Sequence, residues 1–241
     1  MVKVAFVVKK LGFSELISIP ILSAILKQHG HDVRLFVWDE LNCIKSIKYF
    51  SPDIIGYSIM SCEASDYLLI NRTLKNNLSF FSIFGGPHPT FFPDFINEQH
   101  VDGICIGEGD ITFIEFIENL ERKTYQNTSN MYFKDANGNV IKNDLRPLID
   151  NLDGFPFPDR DVLFAKSRML ASNSVKSFLA SRGCPYKCTY CFNHSFNKMY
   201  EGKGKILRHK SVKYLIEEIN QVRSKYPMQM IKFYDDLFAG T

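Results

Sequence analysis

Three cysteines lie close together in the run Cys184-Pro-Tyr-Lys-Cys188-Thr-Tyr-Cys191. Iron–sulfur clusters that only transfer electrons are usually held by four cysteine thiolates. Three thiolates on one short loop would leave one iron of a four-iron cluster without a protein ligand. An iron with an open position binds an exchangeable ligand, so the spacing predicts a metal site that takes part in chemistry. Cys184, Cys188 and Cys191 are the predicted metal ligands.

The residues around these cysteines resemble a known family signature. The segment Ser-Arg-Gly-Cys-Pro-Tyr-Lys-Cys-Thr-Tyr-Cys-Phe-Asn-His, residues 181–194, is similar to the C-x3-C-x2-C motif of the radical S-adenosylmethionine (SAM) superfamily. The resemblance implies a 4Fe–4S cluster whose open iron is chelated by the amino and carboxylate groups of SAM. It further implies that the reduced cluster cleaves SAM to methionine and a 5′-deoxyadenosyl radical, with Tyr190 at the cofactor site.

Other roles for the cysteines compete with this interpretation. Zinc could take the same three thiolates together with His194, although paired C-x2-C knuckles are absent and the preceding segment is strand-like. Disulfides are not expected, because the N-terminus enters a strand directly without a secretory signal, and a reducing cytoplasm is therefore the expected compartment. The scattered Cys43, Cys62 and Cys105 are expected to be buried, inert thiols.

Composition limits the class of protein. The chain has 241 residues, 45% of them hydrophobic and 23% charged, which fits one large domain or two modest ones. Apolar runs such as residues 17–26 are shorter than the roughly 20 residues that a membrane span needs. With 29 basic and 26 acidic side chains, charge gives no indication of a nucleic-acid surface.

The elements that must position a site are most regular in the first half of the chain. Short β-branched runs alternate with helical patterns, which predicts a parallel sheet flanked by helices. We expect an α/β, flavodoxin-like doubly wound sheet, whose ligands lie beyond the carboxyl ends of the strands. The predicted strands cover residues 2–8, 32–38, 54–59, 80–84 and 103–106.

Small and polar residues follow three of these strands. Glycines allow the backbone to approach a bulky flat ligand closely. In their order before the cysteine motif, these loops resemble the cobalamin (B12)-binding domain that precedes the catalytic domain in one large class of radical SAM enzymes. The resemblance implies these cobalamin-binding residues: Ser58 and Ser61, Gly85, Gly86, His88 and Thr90, and Gly107, Glu108 and Gly109.

One departure from other cobalamin proteins concerns the cobalt ligand. Many of them have Asp-x-His-x-x-Gly after the first strand, whereas this chain has Lys-Lys-Leu-Gly-Phe-Ser at residues 9–14. The resemblance therefore implies a cobalamin with its own base displaced and no protein imidazole on cobalt. We expect His88 to shape its loop or touch the ligand edge; cobalt ligation by His88 is the alternative. The alternative is a doubly wound module that binds nothing, with turn glycines and with Glu108 and Asp110 as helix N-terminal acids.

The middle of the chain predicts a hairpin and a connector. An Asn-Gly turn at residues 137–138 separates two short apolar runs, and the proline-rich residues 154–159 resemble the interdomain linker of this class. We therefore place a cobalamin-binding domain at residues 1–125, a hairpin and linker at 126–174, and the start of a radical SAM domain at 175–241.

The last segment predicts the start of a partial (β/α)6 barrel. A strand at residues 175–180 leads to the cysteine loop, a helix capped by Ser211 covers 212–225, and a strand at 230–234 ends in Asp235 and Asp236. By resemblance, one of these acids accepts a hydrogen bond from the SAM amino group; ordinary turn chemistry is the alternative. Since the barrel would be incomplete at residue 241, and residues 238–241 resemble mid-motif sequence, we expect a fragment or a truncated product.

The function expected from these features is radical C–H activation followed by methyl transfer to a carbon centre. Members of the class that perform oxidative cyclisation or rearrangement are an alternative, as is a non-catalytic corrinoid-binding module with a vestigial cluster loop. The expected partners are a small-molecule or natural-product substrate and an electron donor such as flavodoxin or ferredoxin. SAM cleavage would distinguish an enzyme from a binding module.

Overall fold

A computed structural model of the chain describes residues 1–135 and 137–238. The five predicted parallel strands are confirmed, and no end moves by more than one residue. The strands are β1 (Lys3–Val8), β2 (Asp32–Val37), β3 (Ile54–Ser58), β4 (Phe81–Gly85), β5 (Gly103–Cys105), β6 (Met131–Lys134), β7 (Val140–Lys142), β8 (Val175–Phe178), β9 (Ser181–Arg182), β10 (Arg208–His209) and β11 (Met230–Phe233).

The helices alternate with these strands. They are α1 (Ser18–Gln28), α2 (Cys43–Phe50), α3 (Ala64–Lys75), α4 (Pro87–Phe91), α5 (Asp110–Glu121), α6 (Asp161–Phe164), α7 (Arg168–Ser172), α8 (Phe192–Met199) and α9 (Val212–Lys225). Short 3-10 turns cover Ser61–Glu63, Pro93–Asn97, Tyr125–Asn127 and Leu152–Gly154. The predicted bounds of α9 are confirmed, and its predicted cap forms, since the Ser211 hydroxyl accepts the Tyr214 N–H at 3.1 Å.

The first sheet has the order β2-β1-β3-β4-β5-β6-β7, and its first five strands are parallel. Side chains of β1 alternate between two cores, because successive residues of a strand point to opposite faces. Val4 and Phe6 join one core with α1 and α5, whereas Ala5 and Val7 join another with α2 and α3. Helices on both faces of a sheet in this order define the predicted doubly wound fold.

The predicted hairpin forms and extends this sheet. Strands β6 and β7 pair antiparallel, and β6 also pairs antiparallel with β5. The Asp135 carboxylate accepts the N–H groups of Asn137 and Asn139, each at 2.8 Å, which closes the turn. Ala136, also within the predicted turn, lies outside the described residues. The hairpin is thus attached to the sheet by backbone pairing, and the three predicted domain bounds stay predictions.

The second half contains two small sheets. Strand β8 pairs parallel with β11, and β9 pairs antiparallel with β10. Lys176 of β8 is fully buried, and its ammonium donates to the carbonyls of Leu170, Ala171 and Asn173 at 2.8, 3.1 and 2.5 Å. These carbonyls end α7, where a cation is favourable. Residues 239–241, part of the segment that suggested a fragment, lie outside the described residues.

Candidate functional site

A cavity of about 750 Å³ lies beyond the carboxyl ends of β1, β3, β4 and β5. Its wall is mostly apolar, with Phe6, Leu22 and Phe113 among the lining side chains. Ligand sites of doubly wound sheets occur at this edge. The predicted residues that line it are Ser58, Gly85, Gly86, Gly107, Glu108 and Gly109; from the second half of the chain come Leu179, Ser181, Arg182, Gly183, Phe192, Tyr234 and Asp236.

Two of the lining positions require glycine because of their backbone conformation and close neighbours, whether or not a ligand binds. Gly86 and Gly107 have φ values of +92° and +74°, where a side chain is strained. A Cβ on Gly86 would lie 2.9 Å from the Ile59 nitrogen, and a Cβ on Gly107 would lie 1.9 Å from the Tyr200 hydroxyl oxygen. The turn-glycine interpretation is therefore sufficient for these two positions.

Gly85 and Gly109 have a different environment. A Cβ on Gly85 would come no nearer than 3.7 Å to another atom, the Cys105 Cβ, and a Cβ on Gly109 would be 3.7 Å from the Cys105 sulfur. Neither residue has a positive φ. Since the fold does not demand glycine here, the open wall at these positions fits the close approach of a flat ligand such as a corrin.

Three predicted contact residues brace the loops around the cavity. The Thr90 hydroxyl donates to the Gly86 carbonyl at 2.8 Å and accepts the Gly107 N–H at 3.0 Å, which ties the loops after β4 and β5 together. His88 shares a 3.0 Å hydrogen bond with the Ser61 hydroxyl. Thr90, Ser61 and His88 are not among the cavity-lining residues, so a cofactor contact for each stays a prediction.

The position of His88 follows from helix α4, which starts at Pro87 immediately after the β4 loop. The His88 ring packs against Phe92 and Phe95, with ring centroids 5.3 and 4.9 Å away. The side chain lines a separate recess with these phenylalanines, and burial lowers the pKa of His88. This arrangement agrees with the predicted loop-shaping role.

The acids of the β5–α5 loop hold two arginines from the second half of the chain. Arg182 donates to both carboxylate oxygens of Asp110 at 2.7 and 2.9 Å, and Arg208 donates to both oxygens of Glu108 at 2.9 and 2.7 Å. Paired bonds of this kind are strong and directional. Burial raises the pKa of Asp110, but the Arg182 guanidinium and its hydrogen bonds oppose this effect. The net pKa of Asp110 lies below its ordinary value.

The cysteine loop begins at Gly183 and is anchored at both ends. Gly183 has φ +85°, and a Cβ there would lie 2.1 Å from the Ile206 carbonyl oxygen. The Asn197 amide donates to the Cys184 carbonyl at 2.8 Å, and the Cys191 N–H donates to the Cys188 carbonyl at 3.1 Å. The thiols of Cys184 and Cys191 are half-buried and that of Cys188 is exposed.

The donor set of the loop consists of three thiols, the ligand type that iron–sulfur clusters take. All six cysteines lie within the described residues and are free thiols. Across residues 1–135 and 137–238, no three His, Cys, Asp or Glu side chains converge on one metal position. The Cys62 prediction was wrong: this residue is exposed, because it lies in the 3-10 turn beyond β3.

The two acids after β11 have different surroundings. The Asp235 carboxylate accepts the N–H groups of Ala180 and Ser181 at 3.1 and 2.5 Å and the Ser181 hydroxyl at 2.5 Å. It therefore fastens β11 to the β8–β9 connection, while Asp236 lines the cavity. Tyr190 is 92% exposed and is not a lining residue. The predicted cofactor contacts of all three stay predictions.

Sequence reasoning missed the charged contacts between the two halves of the chain. Besides Arg182 and Arg208, Arg160 lies buried between Glu15 and Glu218, with nitrogen–oxygen distances of 2.5 and 3.3 Å. Burial raises the pKa of Glu15 despite the nearby Arg160. The partners are far apart along the chain, and no local pattern joins them. The available signal was Arg182 itself, directly before the cysteine loop.

Known proteins are similar to this chain over much of its length. Residues 5–117 match the B12 binding domain family. An uncharacterized methyltransferase, PH0819 of Pyrococcus horikoshii, is 30% identical over 226 residues, 90% of this chain and 48% of the relative. The anaerobic magnesium-protoporphyrin IX monomethyl ester cyclase of Synechocystis is 26% identical over 217 residues, 86% of this chain and 42% of the relative.

A solved structure is also similar to this chain. The cobalamin-dependent S-adenosylmethionine radical enzyme OxsB with aqua-cobalamin bound superposes with a TM-score of 0.78 at 25% identity, over 100% of this chain and 34% of that chain. The first half of the chain is thus a B12-binding domain on a doubly wound sheet. Residues 5–117 carry the B12-binding match, and the chain as a whole is similar to these methyltransferase, cyclase and radical enzymes. It spans about half the length of the Pyrococcus relative.

Proposed function

We propose that this chain forms the cofactor-binding part of a cobalamin-dependent radical SAM enzyme. One observation supports this above the others: Arg182 and Gly183, which lead directly into the cysteine loop, line the same cavity as the loops after β3, β4 and β5. A cluster on Cys184, Cys188 and Cys191 and a corrin on those loops would therefore face a common space. When bound, the cluster supplies an electron for SAM cleavage and the corrin supplies a methyl group.

The residues of the chain would hold and shield these groups. The apolar wall of Phe6, Leu22 and Phe113 would exclude water from a reactive intermediate. Gly85 and Gly109 would leave room for the corrin face. Asp236, on the cavity wall, would accept the hydrogen bond of the SAM amino group.

We infer methyl transfer to a carbon centre as the reaction of the complete enzyme, since the Pyrococcus relative is a methyltransferase. Oxidative cyclisation is the second candidate, favoured by the Synechocystis cyclase. A small-molecule substrate, an electron donor of the flavodoxin or ferredoxin kind and a cytoplasmic location belong to the same proposal. So does the interpretation of β8, α9 and β11 as the start of a barrel. Among the described residues, no helix has the length and apolarity to cross a membrane.

The test is anaerobic reconstitution with iron, sulfide and hydroxocobalamin. We expect about four irons per chain, a paramagnetic resonance spectrum that changes on addition of SAM, and a stoichiometric corrin absorbance. Cys188→Ala should lose iron and any formation of 5′-deoxyadenosine. Cys62→Ala is the matched control, because Cys62 is also exposed but lies outside the loop.

Each contrary result has a distinct meaning. Zinc without iron would overturn the radical SAM assignment. A cluster without corrin would reduce the first domain to a structural module. Corrin with an inert cluster would favour the non-catalytic binding module.

A further inference from the structure

The short strand β9 ends in a residue that connects two parts of the site. Arg182 is followed directly by Gly183 and Cys184, and its guanidinium binds both oxygens of Asp110 at 2.7 and 2.9 Å. Asp110 is only 5% exposed and is the first residue of α5. Both residues also line the cavity. Arg182 therefore joins the start of the cysteine loop to the loop that lines the predicted corrin site.

The partner strand repeats this contact. Arg182 lies directly opposite Arg208 in the antiparallel pair of β9 and β10. Two like charges at opposed positions destabilise such a pair. Here Asp110 neutralises one arginine and Glu108 binds the other in a bidentate pair at 2.9 and 2.7 Å. We call these four residues, Glu108, Asp110, Arg182 and Arg208, the four-charge cluster.

Besides the four-charge cluster, the β9–β10 pair is held by the Asp235 carboxylate, which accepts from Ser181, and by the Lys210 N–H, which donates to the Ala180 carbonyl. Each strand has two residues, so few backbone hydrogen bonds hold the start of the cysteine loop. The acids come from a loop on which Gly107 and Gly109 flank Glu108, and all three line the cavity. A ligand that orders the β5–α5 loop would therefore order the anchor of the cysteine loop through the four-charge cluster.

We propose that the four-charge cluster couples the two cofactor sites, so that corrin in the cavity strengthens iron–sulfur binding by the cysteine loop and the reverse, with Arg182 as the positioning residue. This inference rests on the proposed function. The coupling is reciprocal by thermodynamic necessity: each cofactor changes the affinity of the other by the same factor. The first cofactor to bind bears the entropy cost of ordering the shared loops, and the second cofactor therefore binds with higher affinity.

The test is the dissociation constant of hydroxocobalamin, measured anaerobically by corrin absorbance on the iron-free chain and on the reconstituted chain. We expect the wild-type chain to bind corrin at least about 5-fold more tightly when the iron–sulfur cluster is present than when it is absent. This factor is in the lower range of measured couplings. In Asp110→Asn and Arg182→Gln this ratio should fall toward one. Arg182→Lys keeps the charge but loses the bidentate geometry, and should keep part of the ratio.

The control is Lys205→Ala, which removes an exposed ion pair with Asp150 at 3.5 Å. This variant should keep the wild-type ratio. A second readout is the half-time of iron loss from the iron–sulfur cluster to a chelator, followed by the cluster's paramagnetic resonance spectrum. Corrin should lengthen this half-time in the wild type and not in Asp110→Asn.

The outcomes separate this inference from the proposed function. A wild-type chain that binds both cofactors with a ratio of one overturns the coupling and leaves the proposed function intact. An unchanged ratio in folded Asp110→Asn and Arg182→Gln also overturns it. A wild-type chain that binds neither cofactor overturns the proposed function and this inference together. Because the wild-type ratio alone can refute the coupling, the test does not depend on the folding of any variant.

Discussion

Gly107→Ala should destabilise the chain through both backbone strain and steric overlap. At φ +74° an alanine is strained, at a cost of about 1–2 kcal/mol for left-handed backbone. Its Cβ would also lie 1.9 Å from the Tyr200 hydroxyl oxygen and 2.9 Å from Cζ. Tyr200 is only 1% exposed, so its ring has little room to move, and overpacking adds about 1–3 kcal/mol.

Two control variants separate these contributions. Gly30→Ala, at φ +81° with no atom within 4 Å, measures the backbone strain alone. Gly109→Ala adds a methyl group to the same loop at ordinary φ, with its nearest contact at 3.7 Å. In Gly107→Ala, Tyr200→Phe removes the nearest overlapping atom and should recover much of the lost stability.

The measurement is the free energy of unfolding in urea, together with the thermal midpoint. A combined loss of about 3 kcal/mol in Gly107→Ala corresponds to a fall in midpoint of roughly 10 °C for a chain of this size. Gly30→Ala and Gly109→Ala should each lose less. If Gly107→Ala unfolds no more easily than Gly30→Ala, the steric argument is wrong.

Three further outcomes are expected. The depressed pKa of Asp110 beside Arg182 means that the stabilising effect of its ionised form is complete above about pH 4 and is lost as pH falls through the folded-state pKa; urea titrations should show a shallower acid slope in Asp110→Asn. Lys176→Met should lower the free energy of unfolding by about 1–3 kcal/mol, because three carbonyls, that of Leu170 in a buried bond, lose their donor; an unchanged urea midpoint would contradict this. Gly183→Ala should lose reconstituted iron, since its Cβ meets a backbone carbonyl, whereas Gly202→Ala, with φ +73° and open space, should retain iron; equal iron contents would refute the difference.

The fold of the first half could be predicted because its signals are local. Alternating apolar runs mark strands and helices wherever they occur, and the Asn-Gly turn marks a hairpin without reference to the rest of the chain. The attachment of that hairpin to β5 could not be predicted. It depends on backbone pairing between Gly103 and Phe133, and sequence periodicity does not specify the partner of a strand.

The candidate site was predictable in position more than in contacts. Strand ends placed Gly85, Gly107 and Glu108 at one edge, and they line one cavity. The bonds of Glu108 with Arg208 and of Asp235 with Ser181 were not predictable. A charged side chain has the same local sequence signature whether it faces a ligand, a helix end or a distant partner, and only the tertiary structure distinguishes these cases.

The buried ion pairs join segments that are made at different times during synthesis. Glu15 contacts Arg160, 145 residues later, and the Ser177 N–H, 162 residues later. Contacts between such distant residues form slowly, and segments closer to the N-terminus fold first during synthesis. The sheet of β1–β5 can therefore form while the cysteine loop is still being synthesised. Glu15 can bind Arg160 only after the linker has been synthesised. The cavity, which residues of both halves line, can be complete only after the second half has been made.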